Sequence, residues 1–152
     1  MTLDGLTLHL IVEELKVPVI GCKVDKVHQP QPDTVVLTLR APGKNPRLLI
    51  SAGASDSRLH LTQQKYANPI SPPMFCMFLR KHVIGAKITD VQQTGLERIV
   101  RISLEAKDEL GLPRTLTLVA ELMGKYSNVI LLNEQGVIMD SLRHVSSAQS
   151  RV

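Results

Sequence analysis

Two cysteines, five histidines and a run of cations between Phe75 and Arg101 are the side chains of this 152-residue chain whose types could carry chemistry. Cys22 and Cys76 are too few for a zinc site or a disulfide framework. His9, His28, His60, His82 and His144 are scattered, with no i, i+4 pair and no acidic neighbour in metal-ligand spacing. Ser51-Ala52-Gly53-Ala54-Ser55 lacks the second glycine and the lysine of a phosphate-cradling loop. Cys76 lies in an apolar stretch, the setting of a buried core thiol rather than a nucleophile. These residues point away from an enzyme, and no metal, cofactor or small-molecule substrate is expected.

The cations say more. From Phe75 to Arg101, Arg80, Lys81, Lys87, Arg98 and Arg101 are opposed only by Asp90 and Glu97, a net +3. From Ile102 to Leu142 three cations stand against six carboxylates, a net −3. The whole chain carries +4, and basic chains often meet nucleic acid or an anionic surface. Single-strand binders usually stack bases on aromatic rings, yet this chain has no Trp, two Tyr and two Phe. With Phe75 and Phe78 on the buried face of a helix, no stacking platform is expected, so a nucleic acid would be read through backbone and shape. Arg80, Lys81 and Arg101 are candidate contacts to a nucleic-acid backbone, although Arg80 and Lys81 equally suit the last turn of a helix.

Strand alternation puts Arg98 on the side of Val100, Ile102 and Leu104, with Glu97 on the opposite side, an arrangement that a bulge at Gly95 would change. In that register Arg98 either snorkels at a strand end or is aimed at a ligand. A planar guanidinium suits a phosphate or a base edge, and a nearby carboxylate can orient it.

These side chains must be positioned by alternating helical and extended segments. Asp4 to Leu15 reads as a helix opened by Asp4, with Leu6, Leu10, Ile11 and Leu15 on its apolar face and an end at Val17-Pro18. Gly21 to Ser51 reads as strands, Val35, Leu37 and Leu39 alternating with Thr34, Thr38 and Arg40. Ser71-Pro72-Pro73 opens a second helix with Ser71 as N-cap, Phe75, Phe78, Leu79 and His82 on one face, and Gly85 as its stop. Strands follow at Val100–Ala106 and Leu116–Leu122, then a hairpin of Val129–Leu132 and Val137–Met139 around Asn133–Gly136. The order is helix, three or four strands, helix, four or five strands. It predicts an α+β domain: a mostly antiparallel β-sandwich or barrel-like arrangement with two helices. No apolar stretch approaches the roughly 18 residues of a membrane span. The first residues lack the basic region of a signal peptide, so a cytoplasmic location is expected.

Several segments together resemble the N-terminal domain of the NFACT proteins. They are Arg58-Leu59-His60-Leu61-Thr62, Asn68-Pro69, Pro72-Pro73-Met74-Phe75-Cys76-Met77, Leu79-Arg80-Lys81-His82 with Gly85, Gln93-Thr94-Gly95-Leu96-Glu97-Arg98-Ile99 and Glu121-Leu122-Met123-Gly124-Lys125-Tyr126-Ser127-Asn128. Asp4-Gly5-Leu6 and Ser150-Arg151-Val152 fit as well, so the resemblance is collinear and covers essentially the whole chain. It implies a fold like the N-terminal domain of formamidopyrimidine-DNA glycosylases. It also implies an NFACT N-terminal domain over residues 1–145, with 146–152 opening a linker to regions present in longer family members.

The family includes RqcH-like ribosome quality control factors, long described as fibronectin-binding proteins. The resemblance therefore implies binding to obstructed large ribosomal subunits carrying peptidyl-tRNA, and recruitment of alanyl-tRNA for C-terminal alanine tailing of stalled nascent chains. The ribosome would perform the peptidyl transfer. By the same resemblance, Asp4, Glu97 and Arg98 are linked to tRNA handling, and the backbone met by Arg80, Lys81 and Arg101 would be that of RNA. The family pair is usually Asp-Arg, so Glu97 is a departure that moves the carboxylate, and Asp4 equally suits a plain helix cap. A second reading is a fibronectin-binding surface adhesin, against which the missing signal peptide counts. Glycosylase chemistry does not carry over, because Thr2 and Leu3 stand where those enzymes place a proline amine and a glutamate.

Overall fold

In the computed structural model, residues 4–143 are described; the expected linker at 146–152, along with Thr2, Leu3 and His144, lies outside them. Asp4 accepts a hydrogen bond from the Thr7 amide and caps α1 (Gly5–Val19). Four strands follow, β1 (Lys23–Gln31), β2 (Thr34–Arg40), β3 (Arg47–Ala52) and β4 (Ser57–Thr62), then α2 (Met74–Val83). Five more follow among the described residues: β5 (Lys87–Gln93), β6 (Ile99–Lys107), β7 (Pro113–Glu121), β8 (Asn128–Leu132) and β9 (Ile138–Ser141), with a 3₁₀ turn at Gly124–Tyr126 before β8. The expected α+β composition and element order hold.

All nine strands belong to one antiparallel sheet in the order β4-β3-β2-β1-β5-β6-β7-β8-β9. Two meanders are joined where β1 meets β5, Lys23 lying opposite Lys87. β3 also approaches β7 and β8 across the core, so the sheet folds over onto itself. The sheet is not closed into a barrel: β4 and β9 remain its two edges. Val35, Leu37, Leu39, Ile50, Ile102, Leu104, Leu116 and Leu118 fill the space between the halves, as strand alternation requires of a face turned to the core. A smaller apolar cluster, Ile99, Val119, Ile130 and Leu132, occupies the other face of β6–β8.

Both helices differ in detail from expectation. α1 buries Leu8, Val12, Leu15 and Val19 and leaves Leu6 and Leu10 largely exposed. Both sets are apolar at helical spacing, and tertiary docking chooses between them. The helix also continues through Pro18 to Val19. The Pro18 carbonyl there accepts from the Cys22 thiol and the Lys44 ammonium. α2 starts at Met74 with Pro73 as its N-cap and no side-chain cap bond, not at Ser71. Each residue before a proline is pushed to extended backbone, which holds Ser71 and Pro72 out of the helix. Phe75, Cys76, Leu79 and Val83 form its buried stripe, and the Phe78 and His82 rings lie 4.4 Å apart.

Candidate nucleic-acid interface

Asp4 and the Glu97-Arg98 pair come from distant parts of the chain, and their neighbours Gly5 and Leu96 meet at the junction of α1 with the β5–β6 loop. Gly5 permits the meeting. A Cβ built on it would lie 1.7 Å from the Leu96 carbonyl oxygen, so only a hydrogen lets the first turn of α1 rest on the loop. Gln93 then clamps both sides, its Nε2 donating to the Gly5 carbonyl at 2.9 Å and to the Glu97 carbonyl at 2.7 Å. The loop is closed on itself by Thr94 N to Ile99 O at 3.1 Å and Glu97 N to Thr94 O at 2.9 Å. Gly95 turns it with φ +56°, a conformation L side chains rarely adopt. The Arg98 carbonyl accepts from the Leu122 amide at 2.8 Å, which ties the loop to the segment leaving β7.

Arg98 does not continue the β6 pleat. Expectation placed it in strand register with Val100, but β6 begins at Ile99 and Arg98 lies in the turn before it, half-buried, beside an exposed Glu97. The glycine turn breaks the period-2 pattern on which that expectation rested. Arg98 also has an interaction of its own within the protein. Asp4 Oδ1 accepts from the Thr7 amide at 2.7 Å, and this bond holds the carboxyl below its ordinary range. The helix-cap role is therefore met, at a position that also adjoins the loop.

The other sequence candidates do not converge there. Arg80 donates from Nε to the Val27 carbonyl at 2.9 Å, beside the buried Cys76, whose thiol burial pushes upward in pKa. Lys81 lines a depression with Lys107, Asp108 and Arg114. Arg101 sits within β6, half-buried, opposite Gln92 and Val119. The charge polarity along the sequence thus does not gather into one patch. Gly5 and Gln93, which hold the junction together, were given no role from sequence, although both stand in segments that carry the family resemblance. Among the described residues no group of His, Cys, Asp and Glu could hold a metal ion, and no helix is long and apolar enough to cross a membrane.

Two of the half-buried histidines, His28 and His82, make a testable contribution. Burial lowers the pKa of both; Arg80 and Lys26 lower His28 further, and Lys81 and Arg114 lower His82. A base with a depressed folded pKa is stabilising above its unfolded value near 6.5 and loses that stability as pH falls below it. The melting temperature by circular dichroism should fall between pH 7.5 and 5.5, and a His28→Gln, His82→Gln double variant should show a flatter profile.

A family model described as NFACT N-terminal and middle domains matches residues 4–152. The chain belongs to the NFACT family. It is 41% identical over 151 residues to the protein named Rqc2 homolog RqcH of Bacillus subtilis, covering 99% of this chain and 26% of that protein. It is 27% identical over 136 residues to human ribosome quality control complex subunit NEMF, covering 90% of this chain and 12% of that one. Among solved structures, the N-terminal part of the fibronectin/fibrinogen-binding protein from Streptococcus suis superposes with a TM-score of 0.93 at 36% identity, covering 99% of this chain and 57% of that one. This NFACT chain therefore spans about a quarter of the length of its RqcH relatives.

Proposed function

We propose that this chain is the tRNA-contacting N-terminal part of a cytoplasmic ribosome quality control factor. In this reading the factor binds obstructed large ribosomal subunits and recruits alanyl-tRNA for C-terminal alanine tailing of stalled nascent chains. The supporting observation is the junction itself: the glycine contact and the Gln93 clamp hold the backbone that follows Asp4 against the backbone of Leu96 and Glu97, with Arg98 next in the chain. The names of the RqcH and NEMF relatives support the same reading. Arg98 supplies a guanidinium for a phosphate or base edge, Glu97 a carboxylate for a ribose hydroxyl or base amino group, and Asp4 fixes the helix start behind them. The chain itself then performs no bond chemistry; the ribosome does.

Arg98→Ala should weaken tRNA binding by about tenfold, in line with losing one good guanidinium contact, when filter binding is measured on the 152-residue chain and on the full-length protein. Unchanged affinity in both would remove Arg98 from the site. The solved-structure name favours a second reading, an adhesin binding fibronectin. Labelling of intact cells with a membrane-impermeant reagent separates them: labelling above that of a cytosolic marker would support the adhesin.

A further inference from the structure

A second basic surface lies away from the Asp4 rim, on the outer face of the first meander. Lys26 on β1 stands opposite Thr38 on β2, which stands opposite Arg47 on β3, so the two cations share one cross-strand row. Two strand spacings put their backbones about 10 Å apart. His28 lies opposite Val36, two residues along the same strand. The extended segment after β4 runs over this face, held by Arg47, whose Nη2 donates to the Gln63 carbonyl. It brings Lys65 and Tyr66 beside the row, around a depression of about 310 Å³. His28 and Asn68 line this depression and also a narrow cleft beyond it that ends at Arg80.

The result is a path of four permanent cations, Lys26, Arg47, Lys65 and Arg80, with one aromatic ring on its wall. No carboxylate lines either part, and none of the four cations forms an ion pair among the described residues. Both guanidinium groups are pre-oriented, Arg47 by the Gln63 carbonyl and Arg80 by the Val27 carbonyl. Ordering them on a ligand therefore costs less entropy than ordering free side chains. Burial and the neighbouring Arg80 and Lys26 charges hold His28 below its ordinary pKa, as expected of a site rich in positive potential.

We propose that this groove binds a single-stranded RNA backbone, with Lys26, Arg47, Lys65 and Arg80 against successive phosphates and one base or ribose on Tyr66. The proposal extends the RNA reading to a second surface and shares with it only the class of ligand. It departs from the expectation that no stacking platform exists: Phe75 and Phe78 pack in the core, whereas Tyr66 lines the depression. β2 and β3 are paired on both sides. Past its single pairing with β5 at Lys23, the far side of β1 faces α2, from which Cys76 and Arg80 both donate to the Val27 carbonyl. Little free edge is therefore offered to an added peptide strand. A flat ring among cations instead fits a nucleotide.

The test is fluorescence anisotropy of the 152-residue chain with a fluorescein-labelled oligouridylate of twelve nucleotides. Lys26→Gln with Arg47→Gln should weaken binding at least tenfold and reduce the slope of log K against log salt by about 1.4, the share of two phosphate contacts. Lys65→Glu, on the overlying segment and outside the sheet, should weaken binding as well and guards against a folding defect in the first variant. In a Tyr126→Phe background Tyr66 is the only Tyr in a chain without Trp. Oligouridylate should quench its emission. Arg98→Ala should leave oligouridylate binding unchanged, so failure at the Asp4 rim and failure at this groove are told apart. Binding indifferent to both charge variants would overturn the proposal. So would displacement of the oligonucleotide by poly-glutamate at equal charge, which would assign the groove to an acidic peptide.

Discussion

Gly5→Ala should destabilise the chain by about 3 kcal/mol and, at temperatures where it remains folded, reduce tRNA affinity as strongly as Arg98→Ala. A relaxed carbon–oxygen contact needs about 3.3 Å, and the added Cβ would stand 1.7 Å from the Leu96 carbonyl oxygen. The partner atom is backbone, so it cannot swing aside as a side-chain tip would. Either α1 or the β5–β6 loop must move, and both Gln93 hydrogen bonds bridge that gap. Alanine is the better helix former, by up to about 1 kcal/mol in a helix interior. At the first helical position that gain is smaller, and overpacking of this kind costs about 1–3 kcal/mol or more. The clash therefore wins. Urea denaturation gives the stability and filter binding the affinity. Leu6→Ala, at an exposed neighbour, should stay within about 0.5 kcal/mol of the parent. A neutral Gly5→Ala would mean that the helix start and the loop are not rigidly docked.

The contrast between Gly5 and Leu6 shows where sequence reading reaches its end. Strand positions such as Val35-Leu37-Leu39 and Val100-Ile102-Leu104 were legible because a pleat has one period and one buried side, and the structure buries all six. The face of α1 was not legible: Leu6-Leu10 and Leu8-Val12-Val19 are alternative apolar stripes, and only docking selects the second. Ser71 carried the signal of a cap, yet two consecutive prolines overrode it. Arg98 was legible as a residue of interest but not in its setting, because Gly95 ends the alternation that was projected through it. Tyr66 was least legible of all. Its value comes from Arg47 holding the Gln63 carbonyl and so laying an irregular segment over β1–β3, a contact between residues distant in sequence and without periodicity.

Gln93→Glu should weaken the chain by about 2–3 kcal/mol at pH 7.5 and recover most of that loss near pH 4. The amide nitrogen of Gln93 serves two carbonyl oxygens at once, and its own Oε1 is buried without a partner. A carboxylate of the same shape would set negative oxygen against both carbonyls and gain no donor. Leaving such groups unmatched costs about 1–3 kcal/mol, and more when one is charged. The folded state should then raise the pKa of this new carboxyl, since protonation restores one donor to the clamp. An acid whose folded pKa is raised gives full stability below its unfolded value near 4.3 and loses it as pH rises through the folded one. That slope has the opposite sign to the one expected from His28 and His82, so the two can be separated in a single series of melts. Gln93→Met, which removes the donor without adding charge, should cost about 1–2 kcal/mol at every pH. Because the clamp fixes the Glu97 carbonyl, tRNA affinity in the Gln93→Glu variant should follow stability and return on acidification. If it were lost at pH 7.5 and stayed lost near pH 4 while the fold recovered, Gln93 would be touching the RNA itself and not merely holding the loop that does.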